Sequence, residues 1–144
     1  MSDEARNAVV AALVDLAGSP DYRDRADAGR CLASFAEMPV AQGPLLALVL
    51  DAGDTFVTRA TAEALLRRGD MLGLAAVASA LAAADPNQVD WVGTAVRDVF
   101  IVFSDERDAA VRECEVLTGH LDEQTRRGAG LLTAVLTEIE PILH

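Results

Sequence analysis

The chain has 144 residues, a formal net charge of −11 and a sequence pI near 4.4, and that length suffices to bury one apolar core without cross-links. Its hydrophobic fraction of 51% rests on 27 alanines, with only four Phe, one Tyr and one Trp, a composition that favours closely packed helices over sheet. The acidic field disfavours nucleic acid and anionic lipid. All 12 basic residues are arginine, so Schiff-base chemistry, a P-loop lysine and a tuned ammonium base are excluded.

In chain order the sequence reads as eight helices, at about 3–17, 21–37, 44–52, 55–69, 71–84, 87–103, 105–119 and 122–140. The first carries an apolar stripe of Val9, Leu13 and Leu16 at helical spacing. The acidic start (Asp3, Glu4) and the interruption at Asp15 are wrong for a signal peptide, so a cytoplasmic location is expected. Ser19 with Pro20 marks the start of the second helix, a capping oxygen directly before a proline at the first helical position. Pro44 is expected to break any helix running from Pro39, which makes Met38 to Gln42 a connector and Gly43 with Pro44 the start of the third.

Asp54 offers a cap for the fourth helix. The uncharged stretch Met71 to Ala84 forms the fifth and would span about 21 Å at 1.5 Å per residue, short of a bilayer core of about 30 Å, so no membrane partner is expected. Asp85 with Pro86 opens the sixth, whose stripe is Val89, Val92, Val96, Val99 and Phe103. The seventh carries acids at 105, 106, 108, 113 and 115, read as a solvated face with Arg107 and Arg112 in helical pairs. Asp122 caps the eighth, with Leu132, Val135 and Ile139 inward. Pro141 ends it and leaves Ile142 and Leu143 as an apolar tail able to fold back. Short connectors make consecutive helices antiparallel neighbours, hence four helical hairpins in a single domain.

A repeat runs through the first half. Ala17, Gly18, Tyr22, Arg25, Ala26, Ala28 and Leu32 recur as Ala52, Gly53, Phe56, Arg59, Ala60, Ala62 and Leu66, with 34 residues from Arg25 to Arg59. A period of that size with helices on both sides of a turn reads as a stacked helical array. The segment Leu48 to Leu66, L-V-L-D-A-G-D-T-F-V-T-R-A-T-A-E-A-L-L, resembles a HEAT-type (armadillo-like) repeat, and Leu13 to Leu32 resembles it less closely. This chain departs from that pattern by a residue inserted between Val57 and Arg59, and its last two hairpins keep only fragments of it. The resemblance implies a short α-solenoid of about four antiparallel helix pairs, with first helices outside and second helices lining an inner binding face. The alternative all-α reading is a compact bundle of helical hairpins.

Such arrays present surfaces more often than they perform chemistry. The expected partner is another protein, held by a mixed-charge inner face around Arg25, Arg59, Arg67, Trp91 and Arg97. Arg25 and Arg59 admit two readings, a structural ladder between repeats or part of an anion-binding strip. Nine arginines, at 23, 25, 30, 59, 67, 68, 97, 126 and 127, fall on the expected second helices, offset by acids. Trp91 is either a packing residue of its hairpin or an interface anchor. Helices 44–52 and 71–84 are apolar all round, as buried helices are, so a second copy, another partner or the chain's own end is expected to cover them.

An alternative function is an acidic inhibitor or immunity-type protein that neutralises a basic partner, drawn in by the charge of −11. No enzyme, cofactor or metal is expected. His120 sits at a helix end and His144 is the last residue, too few to build a metal site, and no glycine-rich run has phosphate-loop form. Cys31 and Cys114 lack CxxC spacing and read as reduced, packed thiols.

Overall fold

The computed structural model describes residues 1–144. The chain is all-α, with helices α1 (Asp3–Ala17), α2 (Tyr22–Leu32), α3 (Pro39–Val49), α4 (Thr55–Arg67), α5 (Met71–Ala83), α6 (Pro86–Phe100), α7 (Ser104–Leu117) and α8 (Glu123–Thr137), plus a 3-10 turn at Ala33–Phe35. None is long and apolar enough to cross a membrane.

Aspartates set where the even-numbered helices begin. Asp21, Asp54, Asp85 and Asp122 each accept a backbone N–H from the first turn of α2, α4, α6 and α8, which satisfies an orphan donor and puts a negative charge at the positive end of the helix. At Asp85 the box is complete, with Gln88 reaching back to the Asp85 N–H at 2.8 Å. The Asp122 carboxyl is held below the usual carboxylate range, first by the Thr125 hydroxyl and then by its backbone N–H. The cap of α2 is Asp21 instead of Ser19, whose hydroxyl accepts from the Asp21 N–H and donates to Asp24.

Three expected boundaries are corrected, the first being that of the second helix, which ends at Leu32 with a 3-10 turn to Phe35 instead of running to residue 37. The third helix starts at Pro39 and runs through Pro44, so Met38 to Gln42 is not a connector. Pro39 sits at the first helical position, and the carbonyl that Pro44 leaves without a donor belongs to Val40 on the exposed side, where water can satisfy it. The sixth helix stops at Phe100, because the carbonyls of Ile101 and Val102 accept instead from the Ile142 and Leu143 N–H groups, both at 2.8 Å. The C-terminal tail thus folds back on the α6–α7 connection, and Phe103 is exposed instead of inward. In α1 the fully buried residue is Val10, while Val9 faces solvent.

The helices share one core of 32 buried residues. Helices α2, α4 and α6 lie side by side in one layer, and α1, α3 and α5 follow behind them. Gly29 of α2 approaches Thr61 of α4 so closely that a Cβ there would lie 2.0 Å from the Thr61 Oγ1. The last pair breaks the pattern. Helix α8 touches α6 only lightly and makes the most extensive helix contact of the molecule with α5, burying Thr125, Gly128, Ala129, Leu132 and Leu136. Gln124 donates to both the Ser79 carbonyl (2.9 Å) and the Ser79 hydroxyl (3.0 Å) at this contact. The uncharged α5 is therefore covered by the chain's own eighth helix.

The contact depends on glycine, since a Cβ on Gly128 would lie 1.6 Å from the Ala78 carbonyl oxygen, whereas one on Gly130 would meet nothing within 4 Å. Gly128→Ala is expected to destabilise the fold by about 1–3 kcal/mol through overpacking. Gly130→Ala on the open face should stabilise it by about 0.5–1 kcal/mol. Urea midpoints of the two variants against the parent check both signs.

Candidate functional site

The candidate face is the outer side of the α2–α4–α6 layer. These three helices carry six arginines and five acids, and the rest of the chain carries six arginines and eighteen acids. Helices α3 and α5 carry no charge at all. An acidic protein thus keeps one nearly balanced layer.

Arg25 is spent inside the molecule. Its Nε and Nη2 meet the two oxygens of Asp51 at 2.9 and 3.3 Å, and its Nη1 donates to the Ser19 and Pro20 carbonyls at 3.1 and 3.0 Å. Only 16% of the side chain is exposed. Asp51 also accepts from the Gly53 and Asp54 N–H groups, so this pair ties the α1–α2 turn to the α3–α4 turn. The Asp51 hydrogen bond raises the Arg25 pKa further above its ordinary value.

Arg59, at the matching repeat position, behaves differently. Its Nη2 reaches Asp98 on α6 at 3.0 Å and Glu63 at 3.9 Å, and its Nε is buried without a partner. It bridges α4 to α6 while leaving part of the guanidinium open. Arg67 and Arg97 form no ion pair and are exposed. Arg68, counted with the second helices from sequence, lies just beyond α4 and bonds Asp70 (2.9 Å) and the Ala33 carbonyl (2.6 Å), a link between consecutive units.

Trp91 is 37% exposed, and two further aromatic side chains are exposed on the other helices of this layer. Tyr22 (39% exposed), Phe56 (44%) and Trp91 fall 34 and 35 residues apart, near the starts of α2, α4 and α6. The Tyr22 and Phe56 rings meet edge to face at 5.9 Å. Arg23 lies over Tyr22 at 5.5 Å and Arg30 over Phe56 at 5.2 Å, each a cation on a ring face. A groove of about 270 Å³ continues from Phe56 along Arg30, Arg59, Glu63 and Arg67. The signal that could have exposed this row is the 34-residue recurrence of aromatics at helix starts, where a side chain lies at the edge of the stack.

No three His, Cys, Asp or Glu side chains converge as metal ligands would. His120 serves a turn, its Nδ1 accepting from the Asp122 N–H at 3.0 Å. Arg107 pairs with its neighbour Asp108 and also donates to the Ile139 carbonyl at 2.7 Å, closing the end of α8, while Arg112 has no ion pair, so the expected helical pairs along α7 do not form. Cys114 is buried, and burial pushes its thiol up to about 11. Cys31, expected to be packed, is exposed on α2, because the buried residues there are Ala28, Gly29 and Leu32.

No protein-family model matches the chain, and no curated protein does. Among solved structures, a crystal structure of an engineered protein from the Northeast Structural Genomics Consortium is similar at 21% identity and a TM-score of 0.40. That match covers 96% of this chain, which spans 64% of the engineered one. A similarity of that degree carries no argument about fold or function.

The division among the arginines is measurable. Arg25→Ala leaves the half-buried Asp51 without its partner and unties the two turns, and is expected to lower the urea midpoint clearly. Arg67→Ala and Arg97→Ala should stay within about 0.5 kcal/mol of the parent. Thermal or urea unfolding of the three variants tests this.

Proposed function

We propose that the chain is a short HEAT-like repeat module that binds another protein through the α2–α4–α6 face, in a cytoplasmic setting and without catalysing a reaction. One observation carries this reading: Tyr22, Phe56 and Trp91 are exposed on the three helices of this layer, Phe56 lines one groove with Arg30, Arg59 and Arg67, and neither Arg67 nor Arg97 forms an ion pair. Aromatic and arginine side chains dominate binding energy where proteins meet. Arg59 and Arg30 belong to the same face, and Arg25 supports it from behind by fixing the turns. The mixed charges of the face, with Glu63, Asp90 and Asp98 among the arginines, suit a protein partner of alternating charge better than a polyanion.

The acidic-inhibitor reading draws support from a different surface. The chain outside the even-numbered helices carries seventeen acids against four arginines, and such a field would accelerate encounter with a basic partner.

Capture of the tagged protein's partners from its source lysate at low and moderate salt separates the two. The double variant Arg67→Glu with Arg97→Glu, and separately Trp91→Ala, should lose a stoichiometric partner at moderate salt; the double variant should keep the parent's melting temperature, and Trp91→Ala should remain folded with a lower one. If both variants retain the partner and salt alone removes it, the acidic surface is the binding site and the proposed face is wrong.

A further inference from the structure

The departure of α8 from the even-helix layer opens a second feature. Because α8 lies across α5, α7 follows it and barely touches α6. The space left is a cavity of about 470 Å³, framed by the ends of α4 and α6, the start of α5 and one side of α7. Leu66, Leu74, Val99, Phe100 and Ala110, all buried, form its apolar lining. Gly69, the one residue with positive φ (70°), turns the chain between α4 and α5 at its rim.

Three charged side chains share this cavity. Arg67 enters from the last turn of α4, and Glu106 and Glu113 enter from one face of α7, two turns apart with Ala109 and Ala110 between them. None of the three forms an ion pair within the chain. A simple anion would meet Arg67 but also two carboxylates, and a simple cation would meet the reverse conflict. A neutral apolar molecule would take water from all three charges without replacing it. The complementary ligand carries both charges beside an apolar group.

We propose that this cavity binds a zwitterion with an apolar side chain, an apolar α-amino acid or a dipeptide of such residues. The ligand carboxylate meets the planar donor fork of Arg67, which matches it in two-point geometry. Its ammonium donates to Glu106 and Glu113, and its side chain packs on Leu66, Val99 and Phe100. The volume lies in the range of small-molecule sites, about 300–1,000 Å³. The site shares Arg67 with the face proposed above, but titration of the isolated chain reads it without a protein partner, so loss of ligand binding and loss of a partner are separately observed.

Titration of the full chain with leucine, leucyl-leucine, N-acetyl-leucine and leucinamide, followed by amide chemical shifts, tests the proposal. Leucine or leucyl-leucine should saturate shifts around Arg67, Phe100 and Glu113, and whichever binds more tightly identifies the ligand length. N-acetyl-leucine and leucinamide, each lacking one charge, should bind about tenfold more weakly or worse. Glu113→Gln should weaken leucine and leucinamide but not N-acetyl-leucine, and Arg67→Gln should weaken leucine and N-acetyl-leucine but not leucinamide. The same spectra report whether each variant is folded. Equal binding of all four compounds, no saturation by either zwitterion, or variants that change every ligand alike would overturn the assignment.

Discussion

Gly128 lies so near the Ala78 carbonyl that no side chain fits at that point of the α8–α5 crossing, and much of the molecule follows from that approach. A helix such as α5, apolar all round, needs cover on more than one side. The chain supplies it by laying its last helix across α5 instead of extending the α2–α4–α6 layer. The flank of α6 is then left lightly covered, with Asp90, Trp91, Arg97 and Asp98 exposed, and α7 is drawn away from α6 to leave the charged cavity beside Arg67. Closure of the core and creation of both candidate surfaces thus share one cause.

The arginines divide by what lies within reach. Arg25, Arg68 and Arg107 each donate to backbone carbonyls as well as to a carboxylate, and they tie turns and helix ends together. Arg67 and Arg97 project where no acid is close enough to pair. Arg59 stands between the two groups, bridging two helices with its inner nitrogen buried and its outer edge open. Equal positions in a repeat did not give equal roles. The α3–α4 turn is long enough to offer Asp51 to Arg25, whereas the acid of the short α5–α6 connection, Asp85, is taken up by the cap of α6.

Much of this architecture was legible in the residues. Asp54, Asp85 and Asp122 mark real helix starts, α1 has the expected bounds, and the recurring Ala26, Leu32, Ala60 and Leu66 are all buried. The proline rule failed at Pro44, because the lost hydrogen bond lies on a solvent-facing side, a tertiary fact. The swing of α8 was hidden because its key residue, Gly128, has no side chain and in sequence reads only as a weak helix former. Of the residues expected on the binding face, Arg67, Trp91 and Arg97 are exposed. The aromatic row and the pairing of Arg25 depend on side chains meeting across more than 25 residues, which periodicity alone does not reveal.

The most direct test of the central claim is native-state hydrogen exchange of the amides in Val77–Leu81 of α5 and Gly128–Leu132 of α8. If α8 closes the core, both segments open only with global unfolding and show the same free energy of exchange. Exchange of α8 at a much lower free energy, with α5 still fully protected, would mean that something other than α8 covers α5 and would contradict the account.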